Sequence, residues 1–282
     1  MILSFHPLFE ADKNITCAGR QPGSTDLKAI KAADAVILPQ GCYQSLFEMA
    51  HANCPHVFPD YKIRFKYPGK LGQIKFFRKF NIAHPASEIF FNLASFYPNF
   101  RKPFSADNLT YPFVFKFDWG GEGETVFLMN SEEEFNKILQ KTAEFEKSGQ
   151  YGFLLQEYIS SSNRTLRVVI IGQRLISYWR IQNPENGGGF YTNLGKGAVI
   201  DAESDSGLQH KAVALVKQIC NKTGINLAGF DLIFSSDIDK PEPMLLEINY
   251  FFGRKGLGGS EAYYKILLGE IQAWLAGLNL GE

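Results

Sequence analysis

Two periods of apolar spacing run through the chain, and the switches between them mark its elements. Up to about residue 60, short apolar runs ("MILSF", "DAVILPQG", "PHVFP") alternate with segments of helical spacing ("STDLKAIKAA", "CYQSLFEMAHA"). Strands alternating with helices predict a parallel sheet, and the Ser/Thr/Asp cluster predicts the cap of the first helix. This unit ends near "YPGK", residues 67–70. "KLGQIKFFRKF" then places Leu71, Ile74, Phe77 and Phe80 on one helical face, and the short apolar "SEIFF" follows. "YPFVFKF" alternates as a strand, "DWGGEGET" reads as a glycine-rich turn and "VFLM" as a second strand. "NSEEEFNKILQKTAEFEKSG" is a helix with a Ser131–Glu134 capping box and Gly149 as its stop. The strands "FLLQEYI", "TLRVVIIG" and "RLISYWRIQ" come next, then the helix "DSGLQHKAVALVKQICNKTG", the strands "AGFDLIF" and "MLLEINYFF", and the closing helix "SEAYYKILLGEIQAWLAGL". A strand-rich middle bracketed by helices is an α+β pattern.

Composition narrows the class. The chain has 282 residues, 45% of them hydrophobic and 14% aromatic, enough for a substantial core in one large or two modest domains. Its 29 basic and 29 acidic side chains give no surplus that would make nucleic acid the main partner. "MILSFHPLFEAD" has neither the cationic lead nor the small-residue cleavage site of a signal peptide. No apolar run approaches the roughly 20 residues of a membrane helix. Cys17, Cys42, Cys54 and Cys220 lack Cys-x-x-Cys spacing, which predicts reduced, buried thiols in a cytoplasmic protein. The five histidines show no zinc-type spacing.

Three groups carry candidate chemistry. In "MLLEINYFF", strict alternation puts Glu247 and Asn249 on one face with Leu245 and Phe251, and Leu246, Ile248 and Tyr250 on the other. In "AGFDLIF", Asp231 faces away from Phe230, Leu232 and Phe234. If the two strands are neighbours, Asp231 meets Glu247 and Asn249 in a set of hard oxygen ligands suited to magnesium. The alternative is an edge strand with a wet polar face. Next, Lys116 lies inside a strand, directly before Gly120, Gly121 and Gly123, where backbone N–H groups could approach an anion. A plain hairpin turn explains clustered glycines equally simply. Finally, a hairpin turning at Gly172 and Gln173 sets Arg167 opposite Tyr178 and Thr165 opposite Arg180. Two guanidiniums so close invite a phosphate or carboxylate between them, unless both are solvated.

These pieces, in this order, resemble the ATP-grasp superfamily, in its branch of glutathione synthetases, D-alanine ligases and ribosomal-protein glutamate ligases. The likeness rests on a lysine at a helix start, the strand lysine with its glycine loop, "LLQEYI", "LRVVIIG", "GGFYTNLGKGA", "AGFDLIF" and "LLEIN", over about residues 67–259. It implies two α+β subdomains clasping ATP over residues 67–282, with a lid at about 107–155, preceded by a small α/β domain over residues 1–66. Lys70 and Lys116 look like the phosphate lysines, with Gly120, Gly121 and Gly123 as the loop folding over the phosphates. Gln156, Glu157, Tyr158 and Ile159 resemble the hinge that receives adenine. Asp231, Glu247 and Asn249 match the magnesium ligands, a role Mn2+ can also fill. Arg180, with Arg167 beside it, looks like the cation steadying the reacting carboxylate. Asn193 and Lys196 fall in the segment lining the reaction centre, and Arg254 where relatives bind the acceptor or the γ-phosphate end. Two departures stand out. Gly69 precedes the first lysine where relatives often carry aspartate. Thr165 stands in place of the aspartate of an Asp-x-Arg pattern near the ribose, leaving Asn163, Ser161 or Thr165 to substitute.

The resemblance implies an ADP-forming carboxylate–amine (or thiol) ligase acting through an acyl phosphate on small molecules or a peptide or protein terminus. It implies no nucleic-acid or membrane partner and leaves homo-oligomeric assembly open. A small-molecule kinase on the same scaffold and a non-catalytic nucleotide-binding module are the alternatives. Trp119, Trp179, Tyr191, Tyr250, Phe251 and Phe252 hint at an apolar portion in one substrate, with ordinary core packing as the competing explanation.

Overall fold

A computed structural model describes residues 1–100, 110–121, 123–182, 192 and 197–280, apart from the side chains of 98–100. Asn193, Lys196 and Tyr191 lie outside the described residues. Three sheets organise the rest. The first holds β1 (Ile2–Ser4), β2 (Lys13–Asn14), β3 (Ala35–Ile37) and β4 (His56–Phe58), all parallel, in the order β2-β1-β3-β4. Helices α1 (Ser24–Lys31) and α2 (Gln44–Asn53) pack with Leu3, Val36 and Tyr61 in one core. Ala35, Ile37 and Phe58 join another core that includes the C-terminal helix. Apolar contacts on both sides explain why these short strands read as continuous apolar runs. The cap of α1 differs from expectation. Ser24 and Thr25 are already helical, and the Asp26 carboxylate, clamped by Arg20, accepts the Gly23 N–H at 2.7 Å.

After α3 (Lys62–Lys66) and α4 (Gly69–Phe80) come β5 (Ser87–Phe90), α5 (Leu93–Phe100), β6 (Phe113–Phe117), β7 (Val126–Met129), α6 (Glu132–Lys147) and β8 (Phe153–Glu157). The strands form an antiparallel sheet, β5-β8-β6-β7. Period-2 alternation settles its faces. Phe113, Phe115 and Phe117 join Phe96, Phe135 and Phe153 in a core with α5 and α6, so Val114 and Lys116 face the other way, into a cleft. Ser131 caps α6, accepting the Glu134 N–H at 3.3 Å. The return arm of the expected capping box slips by one residue, since Glu134 accepts the N–H of Asn130 at 2.8 Å.

The third sheet has the order β11-β10-β9-β12-β13, built from β9 (Arg164–Ile171), β10 (Arg174–Ile181), β11 (Val199–Asp201), β12 (Leu227–Ile233) and β13 (Met244–Asn249). Helices α4 and α7 (Ser206–Thr223) cover one face through Phe77, Val216, Phe230 and Leu232. On the other face α8 (Gly259–Gly277) packs Leu267 and Ile271 against Val169, Ile171 and Leu227. No helix among the described residues is long and apolar enough to cross a membrane.

One joint ties α4 to the second sheet. Gly69 has φ +68°, and the Asp118 carboxylate sits beside it, accepting the Leu71 N–H at 2.8 Å. A Cβ at position 69 would lie 2.5 Å from Asp118 Oδ1. Gly69→Ala is therefore expected to cost at least about 1–2 kcal/mol from the left-handed backbone alone, plus the clash. Equilibrium denaturation checks this; a loss below about 0.5 kcal/mol, the level of an ordinary surface substitution, would count against the joint.

Candidate active site

The floor of the cleft is a knot of charge on the third sheet. The expected hairpin register is present, with Arg167 opposite Tyr178 and Arg180 opposite Thr165. On the other side of β9, Arg167 pairs with Asp231, and Asp231 pairs with Glu247 across β12 and β13. The anion between the two arginines is thus the protein's own Asp231. Its Oδ1 accepts from Arg167 Nε and, at 2.9 Å, from Arg180 Nη2. Its Oδ2 accepts from Arg167 Nη2 at 2.9 Å and from Asn249 Nδ2 at 3.0 Å. Burial opposes ionisation of Asp231, but the two guanidiniums outweigh it and hold the carboxyl below its usual range.

Glu247 has the opposite situation. It lines the cleft beside Asp231, with no hydrogen bond or ion pair among the described residues. Burial pushes its pKa up and the Asp231 charge adds to this, with Lys116, Lys70 and Arg167 offsetting only part. A β-bulge sets its direction. Asp231 faces Glu247 and Leu232 faces Leu245, so Leu246 is the extra residue. Leu245 and Ile248 therefore both join the core, while Leu246 and Glu247 line the cleft. Strict alternation, which put Leu245 with Glu247 and Leu246 with Ile248, fails at this inserted residue.

The opposite wall brings two lysines. Lys116 projects from β6 into the cleft, and burial lowers its pKa to about 8, with Glu247 pulling the other way. Lys70, in the first turn of α4, donates to the carbonyls of Trp119 (3.0 Å) and Gly120 (3.2 Å), which ties it to the glycine loop. Burial lowers its pKa too, against Glu247 and Asp118. Gly120, Gly121 and Gly123 line the same cleft, and Gly120 and Gly123 have φ near +79° and +76°. Gln156, Glu157, Tyr158 and Ile159 line the same cleft. The Gln156 amide is pinned by donating to Ser87 Oγ at 2.9 Å, and the Glu157 carboxylate accepts the Ala86 N–H at 3.2 Å.

The cleft thus gathers Lys70, Lys116, the three glycines, Gln156, Glu157, Tyr158, Ile159, Arg180, Asp231 and Glu247. Arg167 and Asn249 support Asp231 from behind. Arg254 is elsewhere. It stacks on Tyr263 and Tyr264, with 4.7 and 4.5 Å to the ring centroids, and lines a separate open depression with Gln40, Phe251, Phe252, Lys255 and Ser260. Of the aromatic set, Trp179 is core, packed against Phe234. Sequence reading missed Asp118 and Thr125. Thr125 Oγ1 closes the glycine loop by donating to Trp119 O at 2.6 Å. Only the flanking of the glycines by Asp118 and Thr125 could have signalled either. Val114 and Leu246 were also missed as apolar lining; for Val114, two residues before Lys116, the alternation of β6 was the available signal.

Comparison with known proteins places this arrangement. Beta-citrylglutamate synthase B of Danio rerio is 29% identical over 141 residues, 49% of this chain and 32% of that protein. An uncharacterised protein of Mycoplasma pneumoniae is 27% identical over 128 residues, 45% of this chain and 40% of that one. The matched stretches thus span well under half of these curated relatives. Among solved structures, a RimK domain ATP-grasp protein from Sphaerobacter thermophilus is similar at a TM-score of 0.59 and 13% identity, covering 95% of this chain and 98% of that one. D-alanine–D-alanine ligase from Bacillus anthracis, complexed with ATP, is similar at a TM-score of 0.56 and 15% identity, covering 92% and 83%. At such identities these structures speak to the fold, which is the α+β ATP-grasp fold. Residues 70–273 match the RimK-like ATP-grasp domain, and the chain belongs to that family.

Proposed function

We propose that the cleft binds a magnesium nucleoside triphosphate and that the protein is an ADP-forming ligase joining a carboxylate to an amine, or less often a thiol. The observation that carries this reading is the meeting of Lys70 and Lys116 with a half-buried, unpaired Glu247. Four cations, Lys70, Lys116, Arg167 and Arg180, face two carboxylates, Asp231 and Glu247, a surplus suited to a polyphosphate. The similar proteins, a beta-citrylglutamate synthase and a D-alanine–D-alanine ligase, favour the same chemistry.

The donor set fits a hard divalent cation. Glu247, raised in pKa and without a partner, gains most from one, and Asn249 keeps its amide oxygen for it. Each oxygen of Asp231 already accepts two N–H groups, so direct ligation by Asp231 requires releasing one of them. Bound there, magnesium or manganese would neutralise phosphate charge. Adenine would lie at Gln156–Ile159 and the glycine loop over the phosphates. The Arg180 Nε is buried without a partner among the described residues and is suited to hold the substrate carboxylate. A carboxylate oxygen attacks the γ-phosphorus, the bond to ADP breaks, and an acyl phosphate forms. The amine then bonds to the acyl carbon, loses a proton and expels phosphate. The protein's share is positioning and charge neutralisation, with water kept out. The depression around Arg254 and Gln40, where residues 1–66 meet the rest, is suited to the non-nucleotide substrate, a small molecule or a peptide or protein terminus. Buried, unpaired thiols at Cys17, Cys42, Cys54 and Cys220 favour a reducing, cytoplasmic setting.

Three outcomes are expected. ATP with magnesium raises the unfolding free energy by about 2.7 kcal/mol at one hundred times Kd, and turnover yields ADP and free phosphate only when an amine is supplied. A stable phosphorylated product would instead identify a kinase, and binding without turnover on any acceptor a non-catalytic module. Glu247→Gln keeps the fold, because it neutralises a carboxyl that burial already disfavours, but lowers turnover by roughly 100-fold or more and removes the magnesium dependence of thermal stabilisation. Full magnesium-dependent activity in that variant would overturn the metal assignment. Nucleotide affinity depends on pH through Lys116. The free protein loses this proton near pH 8, and bound phosphates favour the charged form, so affinity is full below pH 8 and falls above it. Calorimetry at pH 8 should detect proton uptake on binding, and Lys116→Arg should flatten the pH profile; equal affinity at pH 7 and 9.5 in the wild type would rule this out.

A further inference from the structure

We infer that Gln73 is a positioning residue for the candidate cation site: its side-chain amide locks Ile248, the residue between Glu247 and Asn249, and so fixes both candidate ligands against the helix that carries Lys70. The inference rests on the magnesium–nucleotide reading above and adds to it a residue outside the cleft lining. Among the described residues, β13 is an edge strand, paired with β12 alone. Asp231, Phe230 and Gly229 face Glu247, Ile248 and Asn249 across that pairing. On the outer edge, Ile248 N–H donates to Gln73 Oε1 at 2.8 Å, and Gln73 Nε2 donates to Ile248 O at 2.9 Å. This reciprocal pair is the one that a further antiparallel strand would make. Here a single helical side chain supplies it.

Gln73 follows Lys70 by three residues on α4, so the two lie on the same side of the helix. Lys70 holds the glycine loop through Trp119 O and Gly120 O, while Gln73 holds β13. The helix itself is anchored, with Leu71, Ile74, Phe76 and Phe77 in the core. It therefore braces the loop against the strand. The clamp falls where β13 most needs it. The bulge at Leu246 interrupts the ladder with β12 just before Glu247. Upstream, the outer edge is held by Leu245 N–H on Ala83 O at 2.8 Å. Downstream, Gln40 Nε2 donates to Tyr250 O at 3.0 Å. Between these anchors, Gln73 restrains the stretch that bears both oxygen ligands. A cation shared between that stretch and bound phosphates needs its ligands held to within about 0.5 Å.

A cap that only protects the strand edge is the competing explanation. Gln73→Met separates the two, because methionine keeps the length of the side chain and loses both hydrogen bonds. The measurement is calorimetric affinity for ADP, with magnesium and with EDTA, well below the unfolding temperature of each variant. The ratio of the two affinities reports how strongly cation and nucleotide support one another. The wild type is expected to bind ADP more tightly with magnesium. Gln73→Met should lower that ratio by at least about threefold, the worth of one neutral hydrogen bond. Its affinity in EDTA should stay within about twofold of wild type, as for a site with no shared partner. Added to Glu247→Gln, Gln73→Met should lower the ratio no further. Thermal stability falls under either explanation and does not decide between them. If Gln73→Met does not fold, Gln73→Asn, whose amide is one methylene too short to span both groups, carries the same test. An undiminished ratio in the folded variant, or an equal drop in the Glu247→Gln background, would overturn the inference and leave Gln73 as an edge cap. A wild type that binds ADP equally well in magnesium and EDTA would instead overturn the underlying cation reading.

Discussion

One buried carboxylate organises the centre of this molecule. Asp231 on β12 is held by Arg167 on β9, Arg180 on β10 and Asn249 on β13, so a single side chain ties four of the five strands of its sheet. Removing one member of such a buried set typically costs about 3–5 kcal/mol, because the others are left as uncompensated charges. The knot also determines its surroundings. Both guanidiniums pair with Asp231, and neither forms an ion pair with the neighbouring Glu247. The cleft therefore contains one satisfied carboxylate and one unsatisfied one, side by side, and that asymmetry makes Glu247 the group with most to gain from a cation.

The facing wall obeys a simpler rule. Alternation along β6 sends phenylalanines into a core with α5 and α6, and leaves Lys116 on the side toward the cleft. The stacked rings behind it, Phe115 on Phe153 at 5.1 Å between centroids, give the lysine a rigid base. Lys70 reaches the same space from the start of α4 and is tied to the loop carbonyls of Trp119 and Gly120. The wall is thus assembled from a strand, a helix end and a loop that are distant in sequence.

Much of this was legible in the chain. Strand alternation gave the partners of Arg167 and Arg180, because a two-residue turn at Gly172 and Gln173 leaves only one register. It also gave the faces of β12, where Phe230 and Leu232 enter the core. It failed at Leu246, since a bulge adds a residue without any change in composition that announces it. The hairpin by itself does not reveal the occupant between the arginines, because β9 has β12 on its other side, and β12 supplies Asp231. The elements β2, α3 and β11, of two to five residues, are too short to show a period. The partner of Asp118 could not be read from its neighbourhood, because it lies 47 positions away on α4.

That last contact couples two positions far apart in the chain. The Asp118 carboxylate fills the volume that a side chain at position 69 would need. A residue larger than glycine before the first lysine and an acid in this orientation after the strand are thus mutually exclusive. A side chain at position 69 would have to displace this carboxylate, so the helix start and the end of β6 are fitted to one another as two halves of one joint.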